Sequence, residues 1–261
     1  MRKIAVISGK GGVGKTTVVA NLGVALSRFN KKVVIIDCNL TTSHLGFYFG
    51  FSYYPVTLNN VLREEVDIKD ATYIHPSGLS IVPASVSLDD LMYVEIDKLK
   101  ESLKNLEGFD VALLDSAPGL GKEALATLRA SEEAIFVTIP FLSAVTDVMK
   151  SLRVLDELNV EPLGIILNMV KKSSHELTKD EIESLTGLPV IGIIPYDKNI
   201  EKSLAGGIPP LLNNPYSPSS IEFMKIAANL VNETYNPPST IKRKILSAFS
   251  RFLVPRYTLI K

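Results

Sequence analysis

The chain has no tryptophan, one cysteine and three histidines among its 261 residues. Each scarcity closes off a class of chemistry. A lone thiol, Cys38, can neither close an intrachain disulfide nor hold a multi-cysteine cluster, and it suits a cytoplasmic setting. His44, His75 and His175 lack metal-ligand spacing, so no histidine metal centre is expected. No apolar run approaches the roughly 20 residues of a membrane-spanning helix. The N-terminus passes directly into an apolar strand, which leaves no room for a signal peptide. There is no internal repeat and no low-complexity block.

Acid is absent from one region. Beyond Pro238 there is no Asp or Glu, but there are Lys242, Arg243, Lys244, Arg251, Arg256 and Lys261. With 28 basic and 28 acidic residues in all, the tail is +6 and the remainder −6. An acidic body is poorly suited to a phosphate backbone, so a nucleic-acid partner is not expected. The basic tail points to a local electrostatic function instead.

What is present is a globular composition, 46% hydrophobic and 21% charged, in which strand and helix patterns alternate. Continuous apolar runs at 4–7, 32–37, 79–83, 111–115, 134–140, 163–168 and 188–195 read as strands buried on both faces. Helical spacing is expected over 94–106, 144–158 and 219–235. The fold class that follows is α/β, a doubly wound, mainly parallel sheet with helices on both faces. Asn236-Pro237-Pro238-Ser239 marks a boundary between a domain over 1–235 and an appended segment over 236–261.

The densest signal is Gly9-Lys10-Gly11-Gly12-Val13-Gly14-Lys15-Thr16-Thr17, set between an apolar strand and a helical stretch. Glycines let successive backbone N–H groups curl around phosphate, and the helix N-terminus adds a favourable dipole. Lys15 supplies a cation for the β- and γ-phosphates, and the Thr16 hydroxyl is a Mg²⁺ ligand. ATP and Mg²⁺ are thus the expected ligands. Asp37 and Asp115 each close an apolar strand. In an open parallel sheet such strand ends converge on one crevice. Asp115 can hold the metal near Thr16.

The string Lys-Gly-Gly-x-Gly-Lys-Thr-Thr, with its second lysine at Lys10, resembles the deviant P-loop of the MinD/ParA ATPases. That family includes the nitrogenase iron protein. The resemblance runs through most of the chain. Asp115-Ser116-Ala117-Pro118-Gly119 is similar to its Walker B and switch II, and Asp37-Cys38-Asn39-Leu40 to its switch I. Asn168 and the Pro195-Tyr196-Asp197 segment are similar to its adenine-lining segments, which implies that Asn168, Pro195 and Asp197 contact the base. It further implies an ATP-dependent homodimer in which Lys10 acts across the interface on the partner's nucleotide, with Lys10, Lys15 and Asp37 as catalytic residues.

One departure matters. Many members carry a second aspartate where this chain has Asn39, and an amide can neither take a proton nor supply charge. Slow hydrolysis is therefore expected, with Asp37 left to cover the function. Ala205-Gly206-Gly207-Ile208-Pro209 and Ser217-Pro218 resemble the MinD branch. The reading is a MinD-like ATPase, a positioning switch with an unidentified protein partner, of a kind used in cell division. The rivals are a ParA-like partition ATPase, a metal-cofactor-handling ATPase and a non-hydrolysing ATP-binding scaffold. Ile241, Ile245, Ala248, Phe249, Phe252 and Leu253 form an apolar stripe in the tail. It suits either an anionic membrane interface, as in MinD targeting helices, or packing on the body or partner. The membrane reading would place a cytoplasmic chain peripherally on the inner face of the cell membrane.

Overall fold

The computed structural model describes residues 1–51 and 53–239. The basic tail beyond Ser239, and every expectation placed on it, lies outside the described residues.

In chain order the main elements are β1 (Arg2–Ile7), α1 (Lys15–Ser27), β2 (Val33–Asp37), α2 (Leu58–Leu62), β3 (Tyr73–Ile74), β4 (Ser80–Val82), α3 (Leu99–Ser102) and β5 (Val111–Asp115). They continue with α4 (Lys122–Arg129), β6 (Glu133–Thr138), α5 (Leu142–Leu158), β7 (Glu161–Val170), α6 (Lys179–Thr186), β8 (Val190–Pro195), α7 (Lys198–Ala205), α8 (Pro210–Asn213) and α9 (Pro218–Leu230). The strands make one eight-stranded sheet in the order β3-β4-β2-β5-β1-β6-β7-β8. All pairs are parallel except the short edge hairpin β3–β4. The expected doubly wound sheet is what forms.

Alternation along the strands explains the layers. Ile4 and Val6 of β1, with Val33 and Ile35 of β2, bury into a core shared with α1, α8 and α9. Val34 and Ile36 point the other way, into a core with residues of α2, α3 and α4. Ala5, Ile7, Ala134 and Phe136 face α5 and α6 on that same side. Helices on both faces leave the central strands β2, β5, β1 and β6 dry, which is why they read as unbroken apolar runs.

Two expected helices differ. The stretch 94–106 is not one helix but a single α turn, α3, between 3₁₀ turns at Ile96–Lys98 and Leu103–Asn105. Its four buried residues, Ile96, Leu99, Leu103 and Leu106, keep the three-four-three spacing of an amphipathic α-helix, so the spacing alone does not distinguish the two pitches. The helix expected over 219–235 stops at Leu230, because Asn232 takes a left-handed φ of 54° and Glu233 N–H bonds back to the Ala228 carbonyl. Among the described residues no helix is long and apolar enough to cross a membrane.

Candidate nucleotide site

The sheet order sends the chain from β1 across β5 to β2 on one side, and from β5 across β1 to β6 on the other. A crevice opens at such a switch point beyond the strand ends. The Gly9–Thr17 loop fills it. Gly12 and Gly14 have φ of 81° and 84°, left-handed values that turn the chain from β1 into α1. A Cβ on Gly14 would also lie 2.2 Å from Nδ2 of Asn168, so this position needs glycine twice over.

Parallel register brings the two strand-end carboxylates together, since Asp37 pairs with Asp115 and Asp115 with Val6. Lys15, at the first turn of α1, donates from Nζ to Asp115 Oδ1 at 2.7 Å, and both groups are buried. The other oxygen, Asp115 Oδ2, is buried with no hydrogen-bond partner. Asp37 is turned onto its own loop: its carboxylate accepts from Asn39 N–H at 3.1 Å, Ser43 Oγ at 2.8 Å and Leu45 N–H at 3.2 Å. Burial, and then the neighbouring Asp115 charge, push the Asp37 pKa well above the usual carboxylate range, and those three donors pull it partly back.

Above this floor lies a cleft of about 460 Å³ lined by residues 10–16 of the loop, Asn39, Thr42, His44, Phe47, Tyr48, Pro118 and Leu204. Lys10, Gly11, Gly12, Val13, Gly14, Lys15 and Thr16 therefore share one opening, as expected. Thr17 points inward, its hydroxyl 2.9 Å from that of Tyr48. Gly9 packs under the loop, against Asp147 of α5. Lys10 reaches sideways, its Nζ 3.5 Å from Ser143 Oγ at the start of α5. The segment after β5 is tied down by Gly119 N–H bonding to the Ser8 carbonyl at 2.8 Å.

Three expected contacts sit away from the lining. Asn168 is buried beneath the loop, donating from Nδ2 to the Val13 carbonyl at 2.8 Å and accepting from Met169 N–H. Its amide holds the P-loop in shape. Asp197 caps α7 by accepting from Asn199 N–H, and it accepts from Ser219 Oγ at 2.7 Å, locking α7 to α9. Pro195 ends β8, paired with Val170. Conversely, sequence reasoning did not single out Thr42, His44, Phe47, Tyr48 or Leu204. The aromatic run Phe47-Tyr48-Phe49 between Gly46 and Gly50 was the available signal.

The residues fit Mg²⁺. An unpartnered buried carboxylate oxygen on Asp115, beside a second carboxylate and with only one ammonium between them, is a donor set short of positive charge.

Comparison with known proteins agrees with this geometry. The family described as the CobQ/CobB/MinD/ParA nucleotide binding domain matches residues 4–211. An uncharacterized ATP-binding protein of Methanocaldococcus jannaschii is 38% identical over 251 residues, covering 96% of this chain and 94% of its own length. The septum site-determining protein MinD of Synechocystis sp. is 33% identical over 238 residues, covering 88% of this chain and 89% of its own. Among solved structures, MinD of Pyrococcus horikoshii in complex with Mg-ADP superposes with a TM-score of 0.84 at 35% identity, covering 88% of this chain and 95% of that one.

Proposed function

From the membership of this chain in the CobQ/CobB/MinD/ParA nucleotide-binding family, to which it belongs over residues 4–211, we propose that it is a MinD-like ATPase that dimerises on Mg²⁺–ATP and acts as a positioning switch. The observation that carries this reading is the buried Lys15–Asp115 pair at the base of the glycine-loop cleft. Lys15 is paired with Asp115 through Oδ1. An incoming triphosphate offers it more negative charge and leaves Asp115 free for the metal. Thr16 and Asp115 would hold that Mg²⁺, which supplies positive charge to the β- and γ-phosphates.

The chain's own residues do the rest. Loop N–H groups, fixed by Gly12, Gly14 and the Asn168 bond from below, cradle the phosphates. Asp37 organises the Asn39–Leu45 stretch rather than facing the cleft freely, so it positions switch I. Isothermal titration with Mg²⁺–ATP tests the reading directly, and no binding by the full chain would sink it.

Lys10 lines the cleft only half-buried, its Nζ near Ser143, which follows the exposed Phe141 and Leu142 in the chain. This supports its action on a partner's phosphates. Lys10→Ala should leave monomer ATP binding within about twofold, while ATP-dependent dimer measured by light scattering falls by about tenfold or more. Equal dimer in the variant would make Lys10 a surface residue only.

The basic tail fits reversible attachment to anionic membrane. Each Lys or Arg near such a surface contributes about 1 kcal/mol, and two tails in an ATP dimer add avidity. Truncation after Ser239 should abolish co-sedimentation with phosphatidylserine vesicles at low salt and spare ATP binding. Full-length protein that stays in the supernatant with ATP present would favour a packing role for the tail.

One observation favours a second reading, a scaffold that binds ATP and barely hydrolyses it. Asn39 Nδ2 donates to the Thr42 carbonyl at 2.9 Å, and Thr42 Oγ1 donates back to Asn39 Oδ1 at 3.0 Å. Both ends of the amide are committed to the loop.

A further inference from the structure

Next to the nucleotide cleft, with Phe47 lining both, is a second cavity of about 210 Å³. Its walls include Phe47, Tyr53 and Tyr54, and among the described residues its only charged lining residue is Asp90. Two polar groups in it are unspent. The Tyr54 hydroxyl is buried with no hydrogen-bond partner. Asp90 accepts from Ser85 through Oδ2, but its Oδ1 has only a loose ion pair, 3.7 Å, with Arg63. Arg63 is itself claimed by Glu65 at 2.6 Å, and the adjoining Asp89 has no ion pair among the described residues, so the mouth is short of positive charge.

This chemistry selects its guest. An anion meets a carboxylate and no base. A purely apolar guest leaves the Tyr54 oxygen unsatisfied at the cost of a lost hydrogen bond, and offers no donor to Asp90 Oδ1. A planar cation on an apolar stem satisfies everything: it lies flat on aromatic faces, bonds a carboxylate through two N–H groups, and donates to the phenolic oxygen. The rim suits the stem, because Phe47, Tyr53 and Val86 are exposed at 42%, 77% and 55%.

We propose that this cavity binds a guanidinium group on an apolar stem, such as an arginine of a partner protein or a free alkylguanidine, and that occupancy is felt at the nucleotide site. The connection is short. Ser43 lines the cavity, and its single hydroxyl proton is shared between Asp37 Oδ2 at 2.8 Å and the Ala84 carbonyl at 3.1 Å. Phe47 lines both the cavity and the cleft. A guest that shifts either residue shifts the loop that Asp37 organises. This second half rests on the ATP-binding reading, whereas the binding half does not.

The test uses the full chain without nucleotide, titrated calorimetrically with butylguanidinium and with butylurea, its uncharged analogue of the same shape. Butylguanidinium should bind at least about tenfold more tightly. Asp90→Asn, which keeps the Ser85 bond, should erase the preference, and Tyr54→Phe should weaken binding about threefold or more. Equal binding of the two compounds, or a preference that survives both substitutions, overturns the proposal. A decapeptide with one arginine among leucines separates the sources: tighter binding than butylguanidinium marks a protein side chain, and binding no tighter marks a free guanidine. Saturating butylguanidinium should then change ATP affinity in the wild type but not in Ser43→Ala. An unchanged wild-type affinity overturns the coupling, while a chain that takes the guanidinium and no ATP at all sinks the ATPase reading and spares the cavity.

Discussion

Lys15→Met should lower folding stability by about 3–5 kcal/mol and weaken ATP binding by roughly a hundredfold. The stability loss arises before any nucleotide is present. Lys15 is 7% exposed and Asp115 1% exposed, so removing the ammonium strands a carboxylate in a dry site. A second carboxylate, Asp37, is fully buried beside it. Methionine keeps the stem volume, so the loss reports charge rather than a cavity. Asp115→Asn added to the same chain should restore most of the stability but none of the ATP affinity. That split separates the folding role from the ligand role. The loss should also shrink at low pH. Asp37 holds its proton to higher pH than an unfolded aspartate, so acidification removes the like charge beside the stranded carboxylate. Urea unfolding at two pH values measures all of this. An unchanged midpoint at neutral pH would mean that water already compensates the pair.

How much of this site was legible in the sequence depends on the kind of signal. Lys15, Thr16 and the loop glycines announce themselves because a phosphate cradle demands small residues and one cation at fixed spacing within a dozen positions. Asp37 and Asp115 were legible one level up, since a carboxylate that closes an apolar strand must lie at the sheet's ligand-bearing edge. Which hydrogen bonds they would make was not legible. The Lys15–Asp115 bond spans 100 residues and depends on β1 and β5 being neighbours. Asn168 shows the same limit from the other side. Its position at the carboxyl end of an apolar strand was readable, but only the packed structure shows its amide spent on the Val13 carbonyl. Phe47 and Tyr48 carry only the weak signal of an aromatic run, and Leu204 none; all three enter the cleft through tertiary packing. The fold was clearer because burial on both faces writes itself into unbroken apolar strands. Where it misled, at 94–106, the three-four-three spacing of the buried residues fits one continuous α-helix, and only the packed structure shows the break into 3₁₀ turns.

Asn39→Asp should raise ATP turnover by about tenfold or more while costing about 1–3 kcal/mol of stability. The two effects share one cause. Asparagine serves the loop as donor and acceptor at once, bonding the Thr42 carbonyl through Nδ2 and the Thr42 hydroxyl through Oδ1. Aspartate can keep only the second bond, and it faces the Thr42 carbonyl with a charge instead of a donor. It also becomes the third carboxylate near Asp37 and Asp115, with Lys15 paired to only one of them. A group repelled from its old loop bonds is free to turn into the cleft that Asn39 already lines, where a carboxylate can orient water and accept its proton. On the proposed function, the native amide would hold switch I firm at the expense of turnover, a common exchange between stability and activity. The decisive pair of measurements is steady-state phosphate release and urea midpoint on the same preparation. A variant that hydrolyses no faster, yet loses stability as expected, would show that Asp37 or another group already does what a second aspartate could offer. A variant unchanged in both would show that the Asn39–Thr42 bonds are not what holds the loop.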